Sequence, residues 1–193
     1  MTDPVTDPVT DPVTDPVTVT WTHRLESLTA LDPVVRVLRP VMDALVADPG
    51  RRALLRGAWL GHAVHPVLSD VPIGLWTSAT VLDLVGGRSA RPAARRLVGL
   101  GVLTAVPTAL TGWAEWSGIE PRDQRVGVVH AVANATAVVL FASSWRARRG
   151  ERHLRGAALG VAASSALGIG GYLGGHLATA RKVGSRHPSF EPG

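Results

Sequence analysis

The chain has no cysteine, and that absence excludes disulfides, thiolate metal sites and iron–sulfur clusters held on the chain itself. Lysine is nearly missing, with one against nineteen arginines, and aromatics make up only 5% of the residues. Charge is scarce as well, at 18% against 46% hydrophobic. From Gly57 onward, 14 basic residues face 7 acidic ones, nearly all in three short clusters. Long runs without formal charge separate those clusters. A soluble helical bundle would show a polar stripe every three or four residues, and these runs show none. The high pI of 11.1 does not point to nucleic acid, because no basic stripe is interleaved with aromatics. No glycine pattern has the strand–turn–helix context of a phosphate loop, and no serine sits in a nucleophile elbow. The reading is therefore a membrane protein, and more a non-enzyme than an enzyme.

Residues 2–17 are four copies of Thr-Asp-Pro-Val. A proline at every fourth position forbids regular helix and ladder pairing, so residues 1–22 are expected to form a disordered tail. It is not a signal peptide, having neither a basic start nor an apolar core. Residues 23–56 are read as an amphipathic surface helix and linker. In the helix, 32–47, Asp32 is the expected N-cap and Pro33 the first helical residue. Val34, Val35, Leu38, Met42, Leu45 and Val46 share a face; Pro40 predicts a kink, and Asp48-Pro49-Gly50 a stop. It is too short and too charged to span, so it is placed at the membrane surface.

Four spans follow within a membrane domain at 57–184, covering 64–85, 97–114, 126–145 and 156–180. None of the last three carries a formal charge anywhere along its length. About 20 helical residues cross a hydrocarbon core, so the lengths fit. Pro107 predicts a kink in the second, and short loops make successive helices antiparallel neighbours. Trp59, Trp113, Trp116 and Trp145 fall at span ends, as an interfacial belt requires. Residues 185–193 are read as a flexible tail. The fold class expected is thus all-α, a four-helix transmembrane bundle behind a disordered repeat and a short amphipathic helix.

Let the first span run from membrane side A to side B. Its A end carries His62, His65 and Asp70, and the second span returns to A at Glu115. The third leaves A with His130 and, one turn deeper, Asn134; the fourth returns with Tyr172 and His176. His130 and His176 then share a depth of about 6 Å inside the boundary. Ionisable groups at such a level are functional candidates. His62, His65, His130 and His176 form a candidate metal set for zinc, copper or iron. His130 and His176 are the candidate axial ligands of a haem b, with the two overlapping small-residue pairs Gly170/Gly174 and Gly171/Gly175 leaving room for the macrocycle or for a neighbouring helix. Asp70, Glu115, Asn134 and Tyr172 would orient the imidazoles from behind. The alternative is a structural or partner-binding protein whose histidine–carboxylate plug only fixes helix packing. His23, His153 and His187 lie in polar flanks, where solvated roles are expected. The bilayer is the expected partner, with a separate redox protein as a second. Denser arginine clusters on side B place that side in the cytoplasm and the histidines outside a bacterial inner membrane.

The stretch GHAVHPVLSDVPIGLWTSATVLDLVGG, the TGWAEW ending the second span, GVVHAVAN and GGYLGGHL together resemble the bacterial membrane-protein family called domain of unknown function 2231. The resemblance runs from about Leu54 to Gly184. In that family the first motif usually reads His-Pro-x-His-Pro, where this chain has Ala63 for the first proline and keeps His62, His65 and Pro66. Glu115-Trp116 stands where Asp-Trp is common. Some relatives carry a Rieske domain on the same chain, which implies membrane redox work. Without cysteine this chain has no such domain, so the implication reaches it only through a separate partner.

Overall fold

The computed structural model describes residues 16–184, and every regular element among them is helical. The seven α-helices are α1 (Val17–Ser27), α2 (Asp32–Leu45), α3 (Pro49–Leu55), α4 (Val64–Val85), α5 (Arg91–Trp116), α6 (Pro121–Arg149) and α7 (His153–Gly175). A π-helical turn, His176–Ala180, closes α7. Most of the repeat tail, residues 1–15, and the C-terminal tail, 185–193, lie outside the described residues. The expected tail is nonetheless too long. The last proline of the repeat, Pro16, caps α1, and residues 17–22 are already helical because no further proline interrupts them.

Two other local expectations change. Pro40 sits inside a continuous α2, and Asp32 is its first helical residue rather than its cap. Asp48-Pro49-Gly50 does not simply stop the chain. Asp48 accepts a 2.7 Å hydrogen bond from the Arg51 backbone N–H and starts α3, with Pro49 at the first helical position where no donor is needed. Gly57 and Gly61 then turn the chain into α4 at φ 75° and 76°, a conformation only glycine adopts cheaply.

Among the described residues three helices are long and apolar enough to cross a membrane: α5, α6, and α7 with its π turn. α4 has 22 residues but carries His65, Asp70, Asp83 and an internal proline, Pro72, and it falls outside that set. The helices outrun the charge-free runs, since the flanking arginines remain helical: α5 begins at Arg91 and α6 ends at Arg149.

α4 packs along α5, and α6 along α7; α5 joins the two hairpins through α6, and α4 touches α7. The two hairpins are built alike. Trp76 of α4 stacks on Phe141 of α6, ring centroids 4.2 Å apart at 10°. Asp83 of α4 pairs with Arg148 of α6. Both pairs have the same separation in sequence, so α4 and α6 run parallel and in register, and meet across the core through these large side chains. Around them Ala79, Val98, Ala105, Ala137 and Ala163 complete the core. Small residues dominate because a membrane bundle gains from close backbone approach. Gly101 illustrates this: a methyl there would fall 2.3 Å from the Trp76 indole nitrogen.

α2 seals one end of the bundle. Its Val35 is buried with Trp116 and Val128, the end of α5 and the start of α6. Trp116 therefore is not a belt residue. It is 4% exposed, donates its indole N–H to Gln124 O at 3.0 Å, and meets Trp113 edge-on. Trp59 and Trp145 are exposed at helix ends, with the Arg149 guanidinium over the Trp145 ring.

Candidate functional site

His65 and His130 occupy equivalent places in the two hairpins, matched by the same offset in sequence that relates Trp76 to Phe141. His65 lies in the first turns of α4, and its Nδ1 is 3.0 Å from the Thr108 carbonyl of α5, with Thr111 Oγ1 at 3.3 Å. His130 lies on α6, and its Nδ1 is 2.8 Å from the Gly170 carbonyl of α7. A carbonyl oxygen only accepts, so each Nδ1 carries the proton, and in the neutral ring each Nε2 keeps a lone pair. Each ring also rests on a glycine one turn beyond its carbonyl. A methyl at Gly112 would come 2.8 Å from the His65 ring, and one at Gly174 would come 2.8 Å from the His130 ring.

Asn134, one turn below His130, places its amide nitrogen 3.1 Å from His130 Nε2 and 3.4 Å from Nδ1. Its own room comes from Gly170, where a methyl would fall 2.5 Å from the Asn134 side-chain oxygen. Glycines thus support this site, through one of the two small-residue pairs of α7. Gly170 and Gly174 meet Asn134 and His130, whereas a methyl on Gly171 or Gly175 would touch nothing within 4 Å. A helix turns about 100° per residue, so a one-residue change of phase moves the small-residue stripe off its partner.

His176 is engaged elsewhere. Its Nε2 lies 2.8 Å from Glu26 Oε1 of α1. The same carboxylate accepts from Arg181 Nε at 2.6 Å and again from Arg181 Nη2, and His23 Nδ1 is at 3.2 Å. Burial alone would raise the Glu26 carboxyl, but the hydrogen bonds from Arg181 and His176, with the Arg181 charge, outweigh it and hold its pKa at about 2. Arg125 reaches across from α6 to Asp32, Nε to Oδ1 at 2.7 Å, and holds that carboxyl below its usual range. Asp123 lies beside this network with one carboxylate oxygen buried and unbonded.

The remaining expected residues scatter. His62 is exposed in the turn ahead of α4, and Asp70 and Tyr172 are exposed on α4 and α7. Glu115 faces Arg56 and Gly184. His23 is tied to Glu26 rather than merely solvated, His153 has a buried Nδ1 without a partner, and His187 lies outside the described residues. Among the described residues no three or more of His, Asp and Glu come together as a metal cluster. The sequence reading missed Glu26, Thr108 and Gly112. Its available signal was the internal repeat between α4 and α6, in which Val67, Leu75 and Ser78 recur as Val132, Leu140 and Ser143 alongside the two histidines.

A helical bundle with three membrane-length helices and polar groups gathered at helix ends defines the chain as an integral membrane protein. It belongs to the predicted membrane protein family DUF2231, whose model matches residues 61–187. No curated protein and no solved structure matches it.

Proposed function

We propose that the chain crosses a bacterial cytoplasmic membrane four times, α4 included, and that His65 and His130 would hold a haem iron serving membrane electron transfer or redox sensing. The single observation behind this reading is the shared wiring of the two rings. Each gives its Nδ1 proton to a backbone carbonyl of the neighbouring helix, which fixes the ring and leaves Nε2 with its lone pair. The number of donors selects the metal centre. A closed zinc or copper site needs about four protein ligands, whereas a porphyrin supplies four nitrogens and leaves two axial positions to the protein. Two imidazoles from equivalent hairpins meet that need. A haem so held would supply one-electron redox chemistry. The chain's part is to present both lone pairs, to exclude water with the Trp76–Phe141 stack deeper in the bundle, and to hold the rings against Gly112 and Gly174. His176 drops out of the ligand set in this reading, because it is committed to Glu26.

One observation favours a second reading. The Asn134 amide lies against His130 Nε2, as it would if both ring nitrogens were satisfied within the protein and the pair were a hydrogen-bonded register device. The test is to purify the protein in detergent from haem-replete cells, then record its absorption spectrum and metal content. The axial reading requires a Soret band that is lost in His65→Ala and His130→Ala and kept in His176→Ala. A folded wild type with no Soret band would overturn it and leave the register device.

A further inference from the structure

We infer that α1 and α2, with the turn at Trp59, form a collar lying in the lipid interface on side A, pinned to the bundle on one side and turning an exposed apolar stripe toward lipid on the other. This rests on side-chain placement and is independent of what the histidines bind.

α2 meets the bundle with a mixed face, on which Val35 is buried against Trp116 and Val128, with Leu38 and Met42 packed beside it and hydrogen-bonding polar groups next to them. At about 100° per residue, Asp32, Arg39 and Asp43 fall on one narrow arc. Each is tied to the bundle: Asp32 to Arg125, Arg39 Nη2 to Gln124 Oε1 at 2.7 Å, and Asp43 Oδ1 to the Ser117 hydroxyl at 2.6 Å. Val34, Val37 and Val41 fall on the opposite arc, and Val37 and Val41 are 74% and 61% exposed. α1 repeats the pattern. Its buried residues are Thr22 and Glu26, while Val17 and Trp21 are exposed.

A helix facing water puts its charges outward, because an exposed valine stripe gains nothing there. A helix facing lipid does the opposite. The bilayer is the occupant that fits the position, since α2 sits on Trp116 and Val128, where two membrane-length helices end and begin. Exposed Trp21 and Trp59 are the side chains that favour that interface. The collar precedes the family-matched region, which starts at residue 61.

The absence of native cysteine makes the test direct. Val37→Cys, Val41→Cys and Arg36→Cys are each labelled with an environment-sensitive fluorophore. The full chain is then reconstituted into phosphatidylcholine–phosphatidylglycerol vesicles. Labels at 37 and 41 should be quenched several-fold more by a nitroxide placed high on the lipid acyl chain than the label at 36, and several-fold less by aqueous iodide. Iodide quenching at 37 and 41 equal to that at 36 would place the stripe in water and overturn the collar. Protection from both quenchers would also overturn it, in favour of a protein surface. Disulfide cross-linking of Val37→Cys would then identify a second copy as that surface.

Discussion

Arg148 of α6 and Asp83 of α4 meet as a two-point ion pair inside the bundle, Nη1 to Oδ1 at 2.7 Å, with the arginine 2% exposed. The Ser144 hydroxyl takes up Arg148 Nε at 3.1 Å, so the guanidinium is largely satisfied within the protein. Gly156 leaves the space that its side chain fills, since a methyl there would fall 2.6 Å from Arg148 Cγ. Removing one partner leaves a buried charge uncompensated, which costs about 3–5 kcal/mol, whereas replacing both with apolar residues is often neutral. Asp83→Ala should lower the melting temperature in detergent markedly, and Asp83→Leu with Arg148→Met should recover most of it. A double variant as unstable as the single would show that the pair does more than neutralise itself.

The glycines separate cleanly into two groups. Gly112→Ala and Gly174→Ala should destabilise the protein, because the new methyl displaces an imidazole from its carbonyl. Gly171→Ala and Gly175→Ala meet open space and should be neutral or stabilise the helix, by up to about 1 kcal/mol from lost backbone entropy. Thermal melts of the four variants side by side would decide; equal losses at all four would remove the notches as a feature of the site.

Glu26 makes the α1 contact sensitive to acid. Its ordinary pKa of 4.5 falls to about 2 in the folded state. A depressed carboxyl adds stability that is fully present above the unfolded value and is lost as pH falls through the folded one. The docking of α1 should therefore weaken between about pH 4.5 and pH 2. Glu26→Gln should be weaker at neutral pH and lack that part of the acid dependence. Proteolysis near Ser27 across a pH series, in wild type and variant, measures both. Parallel curves for the two proteins would place the acid sensitivity elsewhere.

The fourth crossing rests on α4. Cysteines placed at Trp59 and Gly87, at opposite ends of α4, should react with an impermeant maleimide from opposite sides of the membrane. Gly87 and Glu151 should share a side, the cytoplasmic one if the arginines at 88–96 and 146–155 orient the chain. Labelling of 59 and 87 from the same side would reduce the protein to the three crossings of α5, α6 and α7.

By itself the sequence determined the helical class, the family and the order of the long helices. Those follow from one-dimensional quantities: charge-free runs of membrane length, glycine and proline punctuation, and motifs in a fixed order. It also marked His65 and His130 as polar groups in an apolar setting. Their partners were decided only by the tertiary structure. Whether His130 faces His176 or His65 depends on helix rotation, and a shift of one residue is about 100°. That angle decides which of the two glycine pairs of α7 meets the site, 170 and 174 rather than 171 and 175. The pairing of Asp83 with Arg148 needed α4 and α6 to lie parallel in register, a relation between segments far apart in sequence. The faces of α2 show the same limit. Periodicity reports that a helix has two faces, but only packing decides which of them meets the protein and which meets the solvent.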